Sequence, residues 1–232
     1  MVSSNIKEVI KEAKGAKIVA ATKYVGVTEM KELLDLGINH FGENRVNSFL
    51  EKYEMLKDNN IVWHFIGSLQ TNKVKSMINK ISYLHSLNSF KLATYIDKYR
   101  ETPLDCFIEV NLTDSDTKTG INKETILELL EQIKGLKNVN VIGLMTMTEP
   151  NQNDSEKLAV FKGLESLKNE LNVLGYTNIK ELSMGMSDDY KLAINANATF
   201  VRLGRILFRW GVFEWVYLEK NNMIMNMKKH KV

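Results

Sequence analysis

Apolar and polar positions along the chain switch between two periods. Short runs rich in β-branched and aromatic residues alternate with stretches whose apolar residues recur every three to four positions, the first pattern reading as buried strands and the second as one-sided helices. KIVAAT at 17–22, INHF at 38–41, IVWHFIG at 61–67, KISYLHS at 80–86, LDCFIEVNL at 104–112, NVIGLMTM at 140–147, NIKELSM at 178–184 and ATFVRLG at 198–204 are the strand candidates. Helices are expected over 28–36 with Thr28 as N-cap, from Val46 onward, through a Lys-rich stretch ending near Asn79, and over Ser89 to Tyr99, Lys123 to Ile133, Asp154 to Leu174 and Asp188 to Ala196. A further helix at 5–13 precedes the first strand.

Eight strand–helix alternations imply a parallel sheet with crossover helices. Eight of them in 232 residues favour a closed (β/α)8 TIM-type barrel, an α/β fold, over an open doubly wound sheet. We expect a single barrel domain over 1–210 and a C-terminal tail over 211–232.

Composition narrows the function classes. Hydrophobic residues at 44% and charged residues at 25% suit a globular core rather than a disordered chain. No apolar run approaches the roughly 18–20 residues a membrane span needs. MVSSNIKEVIKEAKGAK carries no apolar leader segment, so a cytoplasmic protein is expected. The net charge of +3 is mild, and much of it lies in the final KKHK. Without a basic stripe interleaved with aromatics, nucleic-acid binding is not expected. The single cysteine, Cys106, excludes an internal disulfide and reads as a core thiol. His40, His64, His85 and His230 show no metal-ligand spacing. GxSxG, GxGxxG and GxxxxGK[ST] are all absent.

In such barrels the chemistry collects at the C-terminal ends of the strands. Those ends read ATK, FGEN, HFIG, HS, EVNL, LMTM, SMGMS and VRLG. Lys23 follows an apolar strand, where desolvation favours the neutral amine that attacks an aldehyde; the alternative is a solvated loop lysine. SMGMS, Ser183 to Ser187, offers hydroxyls, a permissive Gly185 and a helix start, which together suit a phosphate. It also reads as an ordinary turn with a serine cap. Arg202 lies inside an apolar strand and needs an acceptor: a carboxylate such as Asp188, Asp189 or Glu43, or a ring nitrogen of a bound cofactor.

At these motifs the chain resembles the pyridoxal 5'-phosphate (PLP) homeostasis proteins, relatives of the N-terminal barrel of alanine racemase. The matching segments are AATKYV, HFGENRV, WHFIGSLQTNK, IEVNL with DTKTGI, GLMTM, LSMGMSDD and FVRLG, in the family's order over about residues 17–208. The resemblance implies a PLP-binding protein of vitamin B6 homeostasis, with the cofactor held as a Schiff base on Lys23 and little or no turnover. It implies that Asn44 lines the pocket, that Ser183, Met184, Ser187 and Gly204 cradle the phosphate, and that Arg202 faces the pyridine nitrogen. An arginine there disfavours ring protonation and weakens the ring as an electron sink. Apo PLP enzymes are the implied recipients, and a monomer is expected.

Two other readings stay in view. A PLP-dependent racemase or decarboxylase requires a further acid/base, for which Tyr24 and Tyr190 are the candidates. A phosphate-ligand barrel without aldehyde chemistry leaves Lys23 a purely electrostatic role. The chain departs from the family at Arg205, where a threonine or serine is usual, at Arg209, where glycine is usual, and in the tail.

Overall fold

The computed structural model describes residues 1–112 and 120–208; Arg209, the 211–232 tail and most of DTKTGI lie outside the described residues. Strands β1 (Lys17–Ala21), β2 (His40–Glu43), β3 (Val62–Phe65), β4 (Tyr83–Leu87), β5 (Leu104–Glu109), β6 (Val139–Met145), β7 (Glu181–Ser183) and β8 (Phe200–Leu203) close into one parallel barrel in sequence order. Closure is made by β1 against β8, with Lys17 opposite Phe200 and Ala20 opposite Leu203. The expected (β/α)8 barrel is therefore present.

Helix α1 (Ile6–Glu12) precedes the barrel. Helices α2 (Val27–Asp35), α3 (Val46–Leu56), α4 (Val74–Met77), α5 (Phe90–Tyr99), α6 (Ile126–Ile133), α7 (Asp154–Val173) and α8 (Tyr190–Asn195) make the crossovers. Their packing follows the periodicity. In α6, Ile126, Leu129, Leu130 and Ile133 fall on one face and are all buried; each such aliphatic contributes about 1.5–3 kcal/mol. Helix α7 starts where Asn153 Oδ1 accepts from Glu156 N–H at 3.0 Å and Glu156 Oε2 accepts from Asn153 N–H at 2.7 Å. This reciprocal pair satisfies two of the helix's orphan amides.

Some boundaries move. Thr28 is not the cap of α2: the helix begins after Gly26, whose N–H donates to Glu29 Oε2 at 3.1 Å. The Lys-rich stretch is one turn of α-helix between short 3-10 segments at Thr71–Lys73 and Ile78–Lys80.

Two cores result. The larger lies between strands and helices. The smaller fills the barrel lumen with Val19, Phe107, Met145 and Phe200. Cys106 is fully buried, and burial pushes its thiol pKa up, consistent with a core thiol. Among the described residues no helix is long and apolar enough to cross a membrane, and no group of His, Cys, Asp and Glu is placed to hold a metal.

Candidate functional site

The C-terminal ends of the strands bring together residues from both ends of the chain. Ala21 ends β1 two residues before Lys23, and Gly204 follows β8. A Cβ placed on Gly204 would stand 3.6 Å from the carbonyl oxygen of Ala21. The Lys23 loop and the Gly204 turn are thus neighbours.

Lys23 is exposed, with its ammonium 4.6 Å from the centre of the Tyr24 ring. The burial expected for it is not found. Order in this loop comes instead from behind. Glu43, fully buried at the end of β2, accepts from Lys52 Nζ at 2.5 Å and from the Thr22 hydroxyl at 2.6 Å. Lys52 Nζ also donates to Thr22 O at 2.6 Å, and Ser48 Oγ to Glu43 Oε2 at 3.3 Å. Helix α3 supplies Lys52 and Ser48, so strands β1 and β2 are pinned to it directly beside Lys23.

Asn44 follows Glu43. Its Oδ1 is buried and has no hydrogen-bond partner among the described residues. A buried amide oxygen without a donor is uncommon in folded proteins and points to an absent partner. The backbone of Gly67, after β3, passes so close that a Cβ there would lie 2.3 Å from Asn44 O.

The SMGMS loop and the turn after β8 form one braced unit. Ser187 Oγ accepts from Gly204 N–H at 3.2 Å and from Ile206 N–H at 3.4 Å, so two backbone donors converge on one point. The Arg205 guanidinium pairs with Asp188 across the same two loops. Gly185 adopts φ +88°, and its carbonyl accepts from Arg202 N–H at 2.9 Å. Buried Asp189 accepts from Met186 N–H and from the Thr148 hydroxyl, both at 2.6 Å.

Two residues that the resemblance brings to the phosphate point elsewhere. Met184 is buried in the core, and its N–H donates to Phe200 O at 3.1 Å. The hydroxyl of Ser183 faces the lumen, 2.7 Å from His85 Nδ1, and accepts from Arg202 Nη1 at 2.6 Å. A one-residue difference along a strand reverses the face a side chain occupies, and Ser183 is the last residue of β7.

Arg202 is buried and also donates from Nη2 to Thr146 O at 2.9 Å. Among the described residues it forms no ion pair: Asp188 pairs with Arg205, Glu43 with Lys52, and Asp189 braces the SMGMS loop. Burial pushes its pKa down to about 10, with Asp189 and Glu109 opposing, so the guanidinium is charged at neutral pH. Tyr190, one of the two tyrosine candidates for an acid/base, is buried and donates to Glu12 on α1, and its pKa is raised by burial and by that bond.

The sequence read Glu43 and Asp189 only as counter-ions for Arg202, and passed over Lys52, Thr148 and the part played by His85. The Thr22–Glu43–Lys52, Thr148–Asp189 and His85–Ser183 contacts all join separate segments of the chain, so no local spacing announces them.

The family model described as the alanine racemase N-terminal domain matches residues 2–210. The pyridoxal phosphate homeostasis protein of Aquifex aeolicus strain VF5 is 42% identical over 196 residues, covering 83% of this chain and 86% of that one. The chain belongs to the pyridoxal phosphate homeostasis protein family. A solved relative, PipY of Synechococcus elongatus PCC7942, superposes with a TM-score of 0.84 in its structure without PLP, at 28% identity over 90% of this chain and 100% of that one. Its structure with PLP bound gives 0.81, again at 28% identity, over 88% and 100%. Both Lys23 and the SMGMS loop lie within residues 2–210, the span matched by the alanine racemase N-terminal domain model.

Proposed function

We propose that this protein binds PLP at the C-terminal mouth of the barrel, with Lys23 as the covalent anchor, and serves vitamin B6 homeostasis rather than turnover. The observation that carries the reading is the convergence, on one rim, of an accessible primary amine, an orphaned buried amide oxygen on Asn44 and two backbone N–H groups meeting at Ser187. PipY, a relative solved with PLP bound, supports it.

The residues present fit the group. When bound, PLP would supply an aldehyde electrophile, and the Lys23 amine would hold it covalently with loss of water. Ser187 and the Gly204 and Ile206 amides provide an anion-compatible donor set for the phosphate. Arg202 has more donors than Ser183 and Thr146 take up, and its positive charge would oppose protonation of a ring nitrogen held against it. Ser183 and Met184 act behind the site, the one holding Arg202 and the other anchoring the base of the loop.

The same geometry supports a reading of low turnover. Tyr190 is committed to Glu12, which leaves Tyr24 as the tyrosine beside Lys23. Proton exchange on two faces of a substrate carbon requires two positioned groups. The barrel over 1–210 is the functional unit of the reading. The protein acts in the cytoplasm as a monomer, with apo PLP enzymes as its recipients.

The test is visible absorption of the purified chain with added PLP, followed by borohydride reduction and peptide mapping. A long-wavelength band with reduced label on Lys23 supports the reading. A band with the label on another lysine removes Lys23 as anchor, and no band removes the PLP reading. Turnover of an amino acid by the loaded protein, lost on Tyr24→Phe, would instead favour an enzyme.

A further inference from the structure

A file of polar side chains runs down the inside of the barrel, away from the rim. His40 Nδ1 lies 2.9 Å from His64 Nε2, and His64 Nδ1 lies 2.9 Å from His85 Nε2. His85 Nδ1 is 2.7 Å from Ser183 Oγ, which accepts from Arg202 at 2.6 Å. His40 is half-buried at the start of β2; His64, His85, Ser183 and Arg202 are buried. Because the strands are parallel, the file connects the N-terminal end of the barrel to the arginine near its C-terminal mouth.

The chemistry of the groups gives this file a direction. A guanidinium only donates. With Ser183 Oγ accepting from Arg202, the serine hydroxyl is the donor left for His85 Nδ1. His85 then carries its hydrogen on Nε2 and donates to His64 Nδ1, and His64 does the same to His40. The reverse order would bring two donors to Ser183 Oγ and strand its hydroxyl hydrogen in the core, which folded proteins avoid.

A one-way chain also needs neutral imidazoles, each with one donor and one acceptor. Burial holds His64 and His85 well below the ordinary histidine pKa. Fixed charges push the same way: Lys17 on His64 and Arg202 on His85. His40 is lowered by burial and by Lys17. Among the described residues the surrounding walls add no carboxylate hydrogen bond to the imidazoles. Tyr83 stacks on His64 and Phe107 on His85, while Phe200 packs edge-on to both. Asp105 and Glu181 act on Tyr83.

We propose that His40, His64, His85 and Ser183 are positioning residues for Arg202, forming a one-way hydrogen-bond chain of three Nε2–H imidazoles whose negative ends face the guanidinium. Among the described residues no carboxylate reaches Arg202 within ion-pair distance; Asp189 and Glu109 act on it through space, and this row of aligned dipoles holds it by direct hydrogen bonding. A carboxylate in direct contact would occupy the guanidinium and cancel its charge locally. Neutral dipoles hold the guanidinium in place and leave its net charge for the ligand. Only that last step rests on the PLP reading.

The test uses the full-length chain without PLP, labelled with 15N, and reads histidine tautomers by long-range imidazole 15N–1H correlation at neutral pH, with assignments from single His→Gln variants. His40, His64 and His85 are each expected as the Nε2–H form. In Ser183→Ala, His85 loses its donor and is expected to shift to a mixture of tautomers, with His64 following. Ser183→Thr, which keeps the hydroxyl, is expected to restore the wild-type pattern. An Nδ1–H or charged imidazole at any of the three, or an unchanged pattern in Ser183→Ala, overturns the chain; if that variant does not fold, the wild-type spectrum still decides. With PLP added, the absorption maximum is expected to move in Ser183→Ala relative to wild type, and an unmoved maximum overturns the link to the ligand. A wild-type protein that binds no PLP overturns the proposed function, while the tautomers separately decide the chain.

Discussion

Lys52 Nζ and Glu43 Oε1 lie 2.5 Å apart behind the strand end that carries Lys23, the carboxylate fully buried and the ammonium nearly so. Thr22, one residue before Lys23, is held by both partners. The pair therefore orders the Lys23 loop from its inner side while Lys23 itself stays in solvent.

Breaking this pair on one side leaves a buried carboxylate with only hydroxyl donors. Lys52→Met is expected to cost about 3–5 kcal/mol. Urea unfolding measures it, and adding Glu43→Gln, which removes the stranded charge, is expected to recover part of the loss.

Lys23 itself should be dispensable for folding. Its side chain is exposed and its one described ring contact is with Tyr24. Lys23→Ala is expected to stay within about 0.5 kcal/mol of wild type and to lose borohydride-fixed label completely. A protein unfolded by this change would show the loop to be structural.

Gly185 has no room for a side chain. Its φ of +88° strains any other residue, and a Cβ would stand 2.6 Å from Ala193 Cβ and 3.0 Å from Tyr190 Cα. Gly185→Ala is expected to destabilise by about 2 kcal/mol or more, and to weaken PLP binding by displacing the Ser187 loop from Gly204. Thermal unfolding and PLP titration read the two effects separately.

Acid sensitivity follows from the lumen histidines. In the folded chain His64 and His85 have pKa values held well below the unfolded value of 6.5, mainly by burial. As pH falls below 6.5, the unfolded chain takes up protons that the folded chain excludes. Their contribution to stability is thus full above that value and is lost on acidification, at a limiting rate of about 1.4 kcal/mol per pH unit for each histidine. Denaturant midpoints at neutral pH and about one unit below 6.5 should fall accordingly. A His64→Gln variant should flatten the slope by one proton.

The barrel was legible because its alternation is strong: β-branched runs are separated by helices such as α6, with four buried aliphatics on one face. The rim motifs were legible as well, since strand ends carry them. Side-chain direction at those ends was not. Ser183 sits in a three-residue strand that pairs with β8 only through Phe200, and barrel register, which no local pattern records, turns its hydroxyl inward. The partners of Arg202 were hidden for a related reason. Three carboxylates lay nearby in sequence or motif, and each proved to serve another group. His40, His64 and His85 stand on three different strands, so barrel closure brings them into line.

The meeting of Ala21 and Gly204 at the β1–β8 seam has a consequence for biogenesis. Lys23 leaves the ribosome some 180 residues before the turn that stands beside it. Until β8 is added, β1 presents an open edge and the mouth of the barrel lacks one wall. Pairings of such long sequence separation form late and slowly. A nascent or truncated chain thus carries Lys23 without the Gly204 turn beside it, and on the proposed PLP reading, ligand capture at this seam would report that β8 has docked.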